Sequence, residues 1–223
     1  MITVHHLNNS RSQRVLWLIE ELGVTYQIKH YPRDKKTMLA PPELKAVHPL
    51  GKSPVITDGE ITVAESGAII EYLVERYGGG RMIPPAGSAE RRRYTYWLHY
   101  AEGTFAPLMV ISLLMNRIER APLLVRPIAK AISGMVKKGY LTPNIENNLD
   151  FMEAELGKST WFAGDELTAA DVQMSFALEA AAARGGLDAR RPKLVAALAR
   201  MHSRPAYQRA LQKGGPYRLM KGS

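Results

Sequence analysis

His48-Pro49-Leu50-Gly51-Lys52-Ser53-Pro54-Val55-Ile56, followed by Asp58-Gly59 and then Glu65-Ser66, is the stretch on which the fold turns. Pro54 directly precedes a β-branched run. Having no N–H to give a ladder, it suits an edge or a tight turn. Most X-Pro bonds are trans and merely end a loop. A cis Ser53-Pro54 bond would instead turn the Ser53 backbone outward, where its N–H and C=O would pair with an extended ligand backbone like an added strand. Both readings stand at this point. Val55-Ile56-Thr57 and Ile61-Thr62-Val63 flank Asp58-Gly59, a strong hairpin signal. Ser66 is a good N-cap residue, and capping alone accounts for it. A helix N-terminus also offers free N–H groups to a carboxylate, and Glu65 beside it suits an ammonium. Carboxylate and ammonium on one carbon describe an amino-acid head group.

Working outward, residues 2–7 form a β-branched run that Asn8-Asn9-Ser10 punctuates. Val15, Leu18, Ile19 and Leu22 follow the i, i+3, i+4, i+7 pattern of one helix face, and Gly23 ends it. Val24-Thr25-Tyr26-Gln27-Ile28 reads as a second strand, and 32–49 as irregular or weakly helical. Ser66 opens a further helix with Ile69, Ile70 and Leu73 inward. The order is βαβ, loop, ββα. Gly78-Gly79-Gly80 and Pro84-Pro85 mark a linker. Beyond Glu90 strand signals nearly vanish, and helices are expected at about 90–117, 122–138, 143–156, 169–183, 192–201 and 204–212. The expectation is an α/β domain at 1–79 joined to an all-α domain at 88–223.

Composition narrows the chemistry. With 223 residues, 46% of them hydrophobic, the chain can bury a substantial core. It has no cysteine, which excludes disulfides, thiolate zinc sites and a protein-borne thiol nucleophile. Any thiol chemistry must use a thiol that arrives with a ligand. The formal charge of +9 raises nucleic-acid binding. Its basic residues, however, are scattered in short groups such as Lys35-Lys36, Arg91-Arg92-Arg93, Lys137-Lys138 and Arg190-Arg191, none interleaved with aromatics, so no nucleic-acid partner is expected. His5 and His6 lie in the first strand, one of them inward, and no ligand cluster supports a metal. No signal peptide is visible, and the longest apolar stretches are broken well before the roughly 18 residues of a membrane span. A cytoplasmic protein with no membrane partner is the expectation.

From His48 through Glu65-Ser66-Gly67-Ala68-Ile69-Ile70-Glu71-Tyr72-Leu73, the chain resembles the glutathione-binding half of cytosolic glutathione transferases. Trp161-Phe162-Ala163-Gly164-Asp165-Glu166-Leu167-Thr168-Ala169-Ala170-Asp171-Val172 is similar to that family's helix-capping motif. There Thr168 would cap a buried helix and Asp171, at N3, would reach back to its backbone, a structural role. The resemblance implies a thioredoxin-like N-terminal domain, a helical-bundle C-terminal domain and a homodimer. It also implies glutathione as co-substrate, with no metal. Pro54 would be the cis-proline, Ser53 would pair with the cysteinyl backbone, and Glu65 and Ser66 would take the γ-glutamyl end. For the glycine carboxylate Lys52 leads, with His48 and Lys45 behind it, and the basic stretch beginning at Arg33 aligns loosely.

The catalytic position falls in Leu7-Asn8-Asn9-Ser10-Arg11-Ser12-Gln13-Arg14. Ser10, four residues before Arg14, matches the hydroxyl of serine-type members, donating a hydrogen bond to the glutathione thiolate rather than attacking. Lowering a thiol from about 8.5 by about two units takes roughly 2.7 kcal/mol, which one charge-assisted bond and a helix N-terminus can supply. Ser12 rivals it but is expected to cap the helix, and Asn9 offers an amide N–H. The acceptor pocket is expected between the halves, with Tyr100, Phe105 and Met109 partly lining it, although such a stripe more often belongs to a core. The implied reaction is conjugation of glutathione to a small apolar electrophile, a detoxification chemistry. The alternatives are glutathione-dependent peroxide or disulfide reduction, and a non-catalytic binding module of the same fold.

Overall fold

The computed structural model describes residues 1–223 apart from 35, 36, 38, 185, 216, 218 and 220–223. Lys35 and Lys36, in the loosely aligned basic stretch, therefore lie outside the described residues, as does the very end of the expected helical domain. Four strands, β1 (Ile2–Leu7), β2 (Tyr26–Tyr31), β3 (Val55–Asp58) and β4 (Ile61–Ala64), form one sheet in the order β2-β1-β3-β4. β1 runs parallel to β2 and antiparallel to β3, with Val4 opposite both Ile28 and Ile56. Asp58 pairs with Ile61 across the hairpin, leaving Gly59 and Glu60 in the turn with Gly59 at φ +61°, where glycine carries no steric penalty. Helices α1 (Ser12–Leu22) and α3 (Ser66–Tyr77) pack against the sheet, and α2 (Glu43–Val47) sits apart, with Leu44 buried beside Leu7 and Tyr31. This is the thioredoxin-like arrangement.

Strand β2 begins two residues later than the periodicity suggests. Gly23 takes φ +69°, and the Val24 N–H turns back to the Ile19 carbonyl at 3.3 Å. Val24 is thereby spent closing α1 in a Schellman-type cap. The segment 32–49, expected to be irregular or weakly helical, contains the short α2.

The remainder is helical: α4 (Ala89–Tyr100), α5 (Ala106–Ile118), α6 (Arg126–Val136), α7 (Thr142–Glu155), α8 (Ala169–Arg184), α9 (Pro192–His202) and α10 (Pro205–Gly214). α1 is covered by α10 and α8 as well as by its sheet, and its residues 12–19 are all buried. The stretch expected as one regular helix at 90–117 is interrupted at Ala101–Phe105 by a wider, i→i+5 turn, in which the Ala106 N–H reaches Ala101 O. The same happens at Lys137–Leu141, where the Thr142 N–H reaches Lys137 O. Each wide turn ends two residues before a proline, Pro107 or Pro143, whose i−4 residue is Gly103 or Gly139. A proline supplies no N–H to that carbonyl and its ring presses on it, so the preceding turn opens. The run Ala89–Ile118 is long and apolar enough by composition to cross a membrane. Here Tyr94, Trp97, Leu98, Ala101, Phe105 and Leu108 from it are buried in the shared core, and α4 and α5 pack on α8.

Asp171 reaches back to Thr168 as expected, but the Thr168 hydroxyl donates to that carboxylate, while the Asp171 N–H goes to the Thr168 carbonyl at 3.1 Å. The Asp171 carboxylate accepts the Thr168 N–H and hydroxyl at 2.8 Å each and the Phe162 N–H at 2.8 Å. Burial still dominates and raises its pKa to about 6.

Candidate functional site

The Ser53–Pro54 bond is cis. Ser53 stands outside the ladders, since the β3 pairing begins at Val55. Its hydroxyl donates to the His5 carbonyl at 3.0 Å, tying the loop to β1. Glu65, at the mouth of α3, has φ +74°. A non-glycine residue held there stores on the order of 1–3 kcal/mol, a feature concentrated at ligand sites. Ser66 begins the helix and is buried, yet no side chain caps the helix start, so its first N–H groups are not taken up by a cap. Glu65, Ser66, Lys52, Ser53, Pro54 and His48 all line one groove of about 180 Å³. Lys45 does not; its side chain lies over Gly51 instead.

Ser10 has a mixed environment. Its Oγ lies 2.7 Å from Ser12 Oγ, accepts the Ser12 N–H at 3.2 Å and faces Ser53 Oγ at 3.4 Å. The expectation that Ser12 caps α1 is overturned. Ser12 is the first residue of the helix, and its hydroxyl turns inward to His6 Nδ1 at 2.9 Å. Ser10 does the capping, because the residue two positions ahead of an N–H places its oxygen on that donor. His6 is buried and its pKa falls to about 4, first through desolvation and then through neighbouring His30. His5 is buried too, with its ring against Tyr31 Oη at 3.0 Å and Thr57 Oγ1 at 3.2 Å. Both histidines thus face inward, where one was expected. Among the described residues no group of acidic and histidine side chains could hold a metal.

Ser10, Asn9 and Met109 line a second cavity of about 200 Å³ between the sheet half and the helices, together with Val110, Leu113 and Phe176. Arg11 and Ser53 line both this cavity and the groove. Asn9 sits at φ +53°, its carbonyl held by Arg33 Nη2 at 3.3 Å. Tyr100 and Phe105 are not part of this cavity. Phe105 is fully buried, and Tyr100 stacks among Trp97, Tyr96 and Phe151 with its hydroxyl on Asn148 Oδ1. The wide turn between Tyr100 and Met109 shifts the helical phase, so a spacing of four to five does not keep the three on one face.

That turn also delivers a residue that sequence spacing does not single out. Glu102 reaches across to α1, with Arg11 Nε at 3.2 Å and Arg14 Nη2 in direct contact. Burial pushes the Glu102 carboxyl up, but the Arg14 and Arg11 guanidiniums outweigh it and hold it below its usual range. Burial in turn lowers the fully buried Arg14 despite Glu102. The guanidiniums of Arg11 and Arg14 lie 5.0 and 5.2 Å from the Phe176 ring centre, within cation–π range. Arg11 thus stands beside Ser10 at the meeting of groove and cavity, fixed by a carboxylate from the other half of the chain.

Comparison with known proteins places the chain in a family. Residues 1–75 match the family model of the glutathione S-transferase N-terminal domain, and residues 137–205 that of the C-terminal domain. The chain is 38% identical over 182 residues to glutathione S-transferase 3 of Schizosaccharomyces pombe, covering 81% of this chain and 74% of the relative. Against glutathione S-transferase 1 of Saccharomyces cerevisiae it is 32% identical over 190 residues, covering 81% of each. A solved glutathione S-transferase from Actinobacillus pleuropneumoniae superimposes with a TM-score of 0.77 at 32% identity, over 100% of this chain and 97% of that one. The chain belongs to the glutathione S-transferase family.

Proposed function

We propose that this protein conjugates the thiolate of glutathione to small electrophiles that bind between its two halves. The observation that carries this is the shared wall. Arg11 and Ser53 border both the groove holding Glu65, Ser66 and Lys52 and the partly apolar cavity holding Ser10. A tripeptide laid along the groove, with its γ-glutamyl end at Glu65 and Ser66 and its cysteinyl backbone on Ser53, would bring its sulfur to that wall. Lys52 or His48 would meet the glycine carboxylate. Ser10 would then hydrogen-bond the thiolate from the cavity side, and Met109, Val110 and Leu113 would hold the apolar part of the electrophile beside it. Holding both reactants in contact is itself a large part of such a rate enhancement. With no cysteine in the chain, peroxide or disulfide reduction would need a second glutathione to resolve the intermediate. A panel of a haloarene, an isothiocyanate, an epoxide and a hydroperoxide, each assayed with glutathione, is the test. Turnover confined to the hydroperoxide would replace conjugation by reduction, and none with any member would favour a binding module.

Family membership also supports a cytoplasmic homodimer, in which the sheet half of one copy packs on the helical half of the other. The uncovered apolar side chains of α5 and α6, Leu114, Ile128 and Met135 among them, are surface that a second copy would cover. Light scattering is expected to give twice the mass of one chain at all concentrations above micromolar, and a single-chain mass there would defeat the dimer.

A further inference from the structure

The acceptor cavity carries more positive charge than an apolar electrophile asks for. Three guanidiniums, Arg11, Arg33 and Arg184, line it, and no aspartate or glutamate does. Arg11 has Glu102 behind it, and Arg33 donates to the Asn8 and Asn9 carbonyls. Arg184 differs from both. It comes from the last turn of α8, is half-buried, and donates Nη1 to the Met109 carbonyl at 3.1 Å. Among the described residues no carboxylate lies within ion-pair distance of it. It does not border the groove, so glutathione laid there would leave it unanswered.

A guanidinium has five N–H donors in a planar fork. One is used on Met109, which binds α8 to α5 and is a structural role. Arg184 borders this cavity and a neighbouring one of about 190 Å³, whose lining includes Glu146 and Lys137. Glu146 is itself paired with Arg190 and Arg191, and burial and the charge of Arg11 both work against the Arg184 proton. Charge left half-buried without a counterion is costly, and an anion between the two arginines would relieve it. The surrounding Met109, Val110, Leu113 and Phe176 suit an apolar body rather than a free inorganic ion.

We infer that Arg184 is a specificity residue that selects electrophiles combining an apolar body with a carboxylate, whose negative end it binds. This rests on the conjugation reading of the site. Binding of two product-like ligands tests it without requiring turnover: S-(4-carboxybenzyl)glutathione and its neutral twin S-(4-carbamoylbenzyl)glutathione. Calorimetry on the full-length protein is expected to find the acid about tenfold tighter than the amide, the effect of one partly solvent-screened charge-assisted contact. In Arg184→Met the acid-to-amide ratio should fall to about one, and in Arg184→Lys it should be partly retained. A purely structural Arg184 would lower both affinities together and leave the ratio unmoved. Equal affinities in the unmutated protein, or a ratio unchanged in Arg184→Met, overturns the inference. Glutathione binding and haloarene turnover, measured alongside, separate the two levels. If both persist while acid and amide bind alike, the anion preference alone falls. If glutathione and both conjugates fail to bind, the conjugation reading falls with it.

Discussion

Replacing Ser10 by alanine tests whether a hydroxyl that caps α1 also serves the ligand. Ser10 Oγ touches Ser12 Oγ at 2.7 Å and Ser53 Oγ at 3.4 Å and accepts the Ser12 N–H at 3.2 Å. His6 makes a backbone hydrogen bond to Gly214 and is neutral at ordinary pH. His6 Nδ1 meets the Ser12 hydroxyl at 2.9 Å, and the Ser10 hydroxyl has both Ser12 Oγ and Ser53 Oγ within reach of its proton. The Ser10 proton, held between these neighbours in the free protein, is the one it would swing onto a bound thiolate. One charge-assisted bond contributes about 1.5 kcal/mol or more, so Ser10→Ala should raise the bound thiol pKa by about one unit. At a pH below that pKa the turnover should fall about tenfold, and near pH 9 the loss should largely vanish, because both proteins then hold thiolate. Glutathione affinity should change little, since the groove residues hold the tripeptide. Ser12→Ala is the control. It leaves buried His6 Nδ1 without its hydroxyl partner, costing about 1–3 kcal/mol of stability, while the thiol pKa stays near its original value. A thiolate absorbance titration of both variants decides. A shift in Ser12→Ala and none in Ser10→Ala refutes the reasoning; a shift in neither passes the role to Asn9 or to the backbone N–H groups of α1.

Three further outcomes are expected. Glu65→Ala should weaken glutathione binding by about 1.5–3 kcal/mol, as when a hydrogen-bonded charge partner is lost, and unchanged affinity by calorimetry would remove the γ-glutamyl end from this place. Glu102→Gln leaves fully buried Arg14 without its carboxylate and should cost about 2–3 kcal/mol, the usual toll of 3–5 for a broken buried pair reduced for the partial exposure of Glu102; an unmoved denaturation midpoint would contradict it. His6 has its pKa depressed from 6.5 to about 4, so the unfolded chain takes up a proton between those values that the folded chain refuses, and stability is lost as pH falls from 6.5 to 4. His6→Asn should therefore gain about 3 kcal/mol on the unmutated protein between pH 7 and pH 4, and denaturant unfolding curves that keep a constant offset over that range would count against a neutral His6.

Those residues also mark how far the sequence carries. Helix α1 is legible from Val15, Leu18, Ile19 and Leu22 because its apolar face repeats at the helical period, and the β3–β4 hairpin from Asp58-Gly59 because a short turn needs that chemistry. Groove residues 48–54 and 65–66 are legible because their spacing along the chain is short and the hairpin between them is regular. Ser12 is not, because its partner is set by pairing across the structure rather than by position. An inward hydroxyl at the first helical residue and an N-cap hydroxyl look alike in sequence until β1 brings His6 against α1.

The acceptor side is less legible for a reason that lies in the helix itself. Counting from Tyr100 to Phe105 to Met109 assumes a constant period, and Gly103 with Pro107 breaks it. The opened turn adds a residue to the circuit, buries Phe105 in the core and sends Glu102 toward Arg11 and Arg14, some ninety positions earlier. The same Gly-x-x-x-Pro spacing at Gly139 and Pro143 opens the second wide turn, at whose start Lys137 meets Glu119 and Asn116 at 2.7 Å. The proline is therefore the signal that was open to reading: inside an otherwise helical pattern it marks where the phase slips, and side chains on either side of it are to be counted separately. Counted that way, Ala106, Met109, Val110 and Leu113 fall together on the i, i+3, i+4, i+7 stripe of α5, which is the stripe that lines the cavity.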